Sequence, residues 1–109
     1  MISNQILQST IEGIKNISRV ELCVTDVEGK VLVTTFPEVE ISQNDIVTFA
    51  QSQADSQTMK NYQFFKVYDE HQLEYILVVK SGNDDIHLIG KMVTFQIQGL
   101  LTAYKERFD

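Results

Sequence analysis

The 109-residue sequence has one cysteine, one proline and no tryptophan. A lone cysteine cannot close an internal disulfide, so Cys23, set in an apolar stretch, excludes a disulfide-stapled secreted scaffold. Long apolar runs are missing too: the longest, Ile76 to Val79, falls far short of the ~20 residues that cross a bilayer. No basic residue precedes Lys15, and no apolar run followed by small residues opens the chain, which argues against secretory or mitochondrial targeting and for the cytoplasm. Positive charge is scarce. Nine Lys and Arg against fifteen Asp and Glu leave a net charge of −6, and no basic residue lies between Lys30 and Lys60. Dispersed cations make no nucleic-acid face, because counterion release needs them clustered. With 43% hydrophobic residues, what is present suits one domain spanning 1–109.

Ile2, Ile6, Leu7, Ile11 and Ile14 recur at helical spacing behind Ser3, which predicts a capped helix from about Ser3 to Asn16. The period then drops to two in Val20 to Thr25 and again in Lys30 to Thr35, around Asp26-Val27-Glu28-Gly29, the pattern of a hairpin. Pro37 ends the second strand. Ser42 before Ile46, Val47 and Phe49 predicts a short helix from about Gln43 to Gln51. Gln51 to Asn61 is polar and aperiodic and reads as a loop. Tyr62 to Tyr68 and Leu73 to Val79 form a second hairpin, Ser81-Gly82-Asn83 breaks it, and a long helix runs from about 84 to 109, with Asp84 and Asp85 at its positive end.

The expected class is therefore α+β: a small, mostly antiparallel sheet of two hairpins with flanking helices, in the order helix, strand, strand, helix, strand, strand, long helix. PAS or GAF-like sensor domains, profilin-like domains and roadblock-type scaffolds share that order, and periodicity does not separate them.

The last helix carries more apolar surface than one contact needs. Ile86, Ile89, Val93, Ile97, Leu100 and Tyr104 make one stripe, while Leu88, Met92, Phe95 and Gly99 make a second. The second stripe, with Ile6 from the first helix, is the candidate interface of a homodimer. Nothing in its last eight residues stops this helix, so the segment is expected to continue as a linker.

No catalytic constellation is legible, and an enzyme is not expected. His71 and His87 have no ligand-spaced partners, and the glycines fit neither phosphate-binding spacing, so no metal or cofactor is implied. Cys23, Thr25, Thr34, Phe65 and Tyr75 on the sheet, with Phe49 from the short helix, are candidates to line, or equally to fill, a partly polar cavity. Of Arg19, Lys30 and Lys66, Lys66 is the first-choice cation for a carboxylate ligand.

The ending Gly99 to Asp109 (Gly-Leu-Leu-Thr-Ala-Tyr-Lys-Glu-Arg-Phe-Asp), the opening Ile2 to Leu7 and the hairpin Leu22 to Val31 resemble the amino-terminal region of the sugar diacid utilization regulators, a family of bacterial transcription factors. The resemblance implies a PAS-like sensory domain, a helical linker and a separate helix-turn-helix domain beyond Asp109. It also implies a histidine-containing stretch soon after the first hairpin, whereas Phe36 to Thr58 holds no His, Arg or Lys. The expected function is a signal-sensing, dimerising domain that binds a small metabolite such as a sugar diacid or another carboxylate. The alternative is a roadblock-like dimeric scaffold without a small ligand.

Overall fold

Local chemistry starts the first two helices where the sequence placed them. The computed structural model of the chain describes residues 2–38, 40–80 and 85–108, with the side chains of 106–108 outside that description. Helix α1, Asn4–Ser18, begins at Ser3, whose Oγ accepts from the Ile6 N–H at 3.3 Å, and buried Ile2 and Leu7 staple the entry. It ends at Arg19, in the left-handed region at φ 64°, with its N–H donating to the Lys15 carbonyl. Helix α2, Gln43–Ala50, is capped the same way by Ser42, with Ile41 and Ile46 packed in the same cluster.

Between them lie β1, Leu22–Thr25, and β2, Val31–Thr34. Asp26 Oδ1 accepts from the N–H groups of Glu28 and Lys30, each at 2.9 Å, and Gly29 takes φ 86°. A Cβ at Gly29 would stand 2.6 Å from Gln43 Cγ, so the turn seats directly on the start of α2.

The second half holds three strands rather than two. Ser56–Met59, within the stretch expected as a loop, is β3, paired antiparallel with β4, Tyr62–Asp69. Its sequence is polar because it lies at the sheet edge, where no apolar alternation is demanded and the partner strand supplies the order. Strand β5, Gln72–Lys80, follows a two-residue turn, and α3 spans Ile86–Phe108. The expected strand break at 81–83 and the helix start at Asp84 lie outside the described residues.

The sheet order is β2-β1-β5-β4-β3, antiparallel throughout, so the α+β class holds, with five strands and three helices among the described residues. Pairing of β1 with β5, from Leu22 opposite Val79 to Thr25 opposite Ile76, joins the two halves of the chain. Alternation then sends side chains to two apolar layers. Leu22, Val24, Phe65, Val67, Leu77 and Val79 meet α1 and α3 on one face; Cys23, Phe64, Ile76 and Val78 meet α2 on the other.

Close seating of α3 depends on Gly90. A Cβ there would lie 2.2 Å from the Phe65 ring. Gly90→Ala therefore forces the helix off the sheet; despite alanine's better helix propensity, the substitution is expected to cost about 1–3 kcal/mol, read as a lower urea midpoint at unchanged m-value.

Candidate functional site

The sheet divides the residues proposed for one cavity. Cys23, Phe49 and Lys66 belong to the α2 side, whereas Phe65 and Tyr75 belong to the α1/α3 side. Neighbours such as Phe65 and Lys66 necessarily point to opposite faces. The space under α2 is filled by Cys23, Phe36, Ile46, Phe49, Phe64, Ile76 and Val78, with the Phe49 and Phe64 rings tilted at 56° and 5.6 Å apart. Thr25 is fully buried and its hydroxyl donates to the Asp26 carbonyl at 2.8 Å. Thr34 is half-buried; its Oγ accepts from the Phe36 N–H at 3.0 Å. These residues make a core.

Lys66 is part of that core too. Only 6% exposed, its ammonium donates to the Ser52 carbonyl just beyond the end of α2 and lies 5.2 Å from the centroid of the Phe49 ring. A cation at a helix C-terminus and over an aromatic face is satisfied electrostatically on both counts. Lys66 thereby ties down the α2–β3 connection, and it also contributes to the lining of the groove between α3 and the β3–β4 edge. Arg19 serves as the α1 cap, and Lys30 is exposed beside the first turn.

Open space lies beside α3. A groove of about 400 Å³ runs between this helix and the β3–β4 edge, lined among others by Ser56, Tyr68, His87, Lys91, Thr94 and Gln98. Gln98 Oε1 accepts from the Tyr68 N–H at 3.1 Å, next to the bulge at Val67/Tyr68. His87 Nδ1 lies 3.3 Å from Gln63 Oε1, and its ring is 5.5 Å from that of Phe65. The groove brings an exposed ammonium, an imidazole and neutral donors to one wall, with Asp55 among the opposite lining. His87, Lys91, Thr94 and Gln98 follow a 4-3-4 spacing; that signal was in the sequence, where it reads simply as a solvated helix face.

The second apolar stripe of α3 does face solvent. Leu88, Met92 and Phe95 are 59%, 63% and 78% exposed, and a Cβ on Gly99 would meet nothing within 4 Å. Ile6 is not on this face: it is half-buried and packs against the α1/α3 core layer. Its place is taken by Ile17, 88% exposed, beside a groove of about 240 Å³ between α1 and α3 that also includes Ile14, Ile89 and Met92.

Among the described residues, no three His, Cys, Asp or Glu side chains gather as a metal site, and Lys105 Nζ lies 3.1 Å from Glu70 and 3.8 Å from Asp69. No described helix is long and apolar enough to cross a membrane. Compared with known proteins, the chain matches no family model and no curated sequence.

Burial pushes the Cys23 thiol up to about 11, against a weaker opposing pull from its hydrogen bond with Thr34. Burial, reinforced by the nearby Glu74 charge, also raises the Tyr75 phenol. Native Cys23 is therefore expected to resist a thiol reagent at neutral pH, with labelling that tracks global unfolding. The unfolded chain ionises this thiol first, from about pH 9, so the contribution of Cys23 to stability is present below that pH and is lost as pH climbs towards 11. Rapid labelling of folded protein would refute the assignment.

Proposed function

We propose that this chain is the dimerising, signal-relaying input domain of a transcription regulator, of the kind that the resemblance to the sugar diacid utilization regulators implies. The observation that carries the reading is the second face of α3. Leu88, Met92, Phe95 and Gly99 repeat at the 4-3-4 spacing of a helix–helix seam and stand in water. An aligned row of large exposed apolar side chains marks an interface rather than ordinary surface. Each contributes roughly 1.5–3 kcal/mol on full burial. Doubled by a two-fold axis, the three side chains are on the order of the ~4–15 kcal/mol that association costs, which gives a reversible dimer.

The antiparallel sheet with helices on both faces supports a PAS-like reading of the fold. A ligand has its place, on this proposal, in the groove beside α3, where Lys91 and His87 supply charge-assisted donors to a small carboxylate. Occupancy there biases the packing of the α3 pair, and a regulator would read that bias through the same helix. The filled space under α2 favours a second reading, a roadblock-like scaffold that dimerises and docks a protein without a small ligand.

Sedimentation separates folded monomer from dimer. The wild type is expected to associate with rising concentration, and Met92→Glu combined with Phe95→Glu to remain folded and to lose the association that the α3 seam supplies, so that its transition moves to higher concentration. A wild-type monomer at every soluble concentration would sink the proposal.

Thermal shift with a panel of sugar acids and dicarboxylates tests the ligand. Stabilisation is expected for at least one of them, and Lys91→Ala should remove it. If none stabilises the fold, the scaffold reading stands.

A further inference from the structure

The two edges of the sheet are finished differently. On β2 the side-chain amide of Gln8, reaching from α1, acts as a surrogate strand: its Nε2 donates to the Thr34 carbonyl at 3.1 Å and its Oε1 accepts from the Thr34 N–H at 3.3 Å. A closed edge of this kind resists pairing with another chain. On β3 no such cover exists among the described residues.

Register shows which groups β3 leaves open. Met59 and Tyr62 flank a two-residue turn, Gln57 stands opposite Phe64, and the Lys66 N–H donates to the Asp55 carbonyl at 3.0 Å. Asp55, Gln57 and Met59 thus direct their backbone groups inward to β4, while Ser56 and Thr58 direct theirs outward. The strand Ser56-Gln57-Thr58-Met59 contains neither charge nor proline, the usual protections of an exposed edge.

We propose that β3 is a pairing edge for a second copy of this chain, joined antiparallel about a two-fold axis at Gln57 so that the sheet continues from one copy into the other. In this register Ser56 stands opposite Thr58 of the second copy, and these two outward-facing residues exchange both backbone hydrogen bonds, once on each side of the axis. The uncharged centre faces itself. Asp55 and Lys60 flank the strand at opposite ends, so antiparallel pairing brings the Asp55 end of one copy beside the Lys60 end of the other. That complementarity selects a second copy over an unrelated extended peptide. The pairing uses no residue of the α3 seam and stands independently of it.

Cysteine trapping reads the register directly. In a background carrying Met92→Glu and Phe95→Glu, Gln57→Cys should give a disulfide-linked dimer on mild oxidation. Residue 57 faces itself in a non-hydrogen-bonded pair with Cα atoms about 4.5 Å apart, within disulfide reach. Ser56→Cys should cross-link at least about tenfold more slowly, because its own copies stand roughly 8 Å apart. Cys23 is buried and does not compete. Adding Thr58→Pro, which removes only an outward N–H, should abolish the Gln57→Cys cross-link while the circular dichroism spectrum stays native. Equal cross-linking of the two cysteine variants, or none from Gln57→Cys in folded protein, overturns the proposal. Because the seam is already removed, neither result bears on the α3 dimer.

Discussion

Pairing of β1 with β5 is the contact on which the rest of the domain depends. It joins residues more than fifty positions apart in sequence, from Leu22 with Val79 to Thr25 with Ile76, and so sets the first hairpin beside the last. Strand β5 thereby becomes the centre of the sheet, with Tyr75 to Val79 buried on both faces in one unbroken run. Fully apolar strands of this kind need cover on each side. Helix α2 supplies it on one face and the α1/α3 pair on the other.

That central position also decides where polar groups are tolerated. Lys66 is two strands from the β1 side and still buried, because the open end of α2 and the Phe49 ring receive its charge. Cys23 faces the same layer, and burial there keeps its thiol protonated. Open and exposed features lie outward as a result: the groove of Lys91 and His87, the exposed stripe of α3, and the two sheet edges, one sealed by Gln8 and the other open along β3.

Much of the local structure was legible. Ser3 and Ser42 with their flanking isoleucines and Leu7 announce both helix starts, and Leu88, Met92, Phe95 and Gly99 were readable as a second stripe because helical spacing alone puts them on one face. Strand β3 was not, since Ser-Gln-Thr-Met has no hydrophobic alternation and is ordered by its partner. The division of the cavity candidates was not legible for a related reason. Cys23, Phe65, Lys66 and Tyr75 look like one polar and aromatic group along the chain, but sidedness in a sheet follows from register, and register divides them between two layers.

The sequence by itself therefore determined the elements whose causes are local: caps, turns, periodicity, and the excess of apolar surface on the last helix. Tertiary structure alone decided which strands are neighbours, which edge is covered, and what each buried charge or thiol meets. Those outcomes depend on pairings between distant segments, where a side chain's environment is set by residues that no local spacing connects to it.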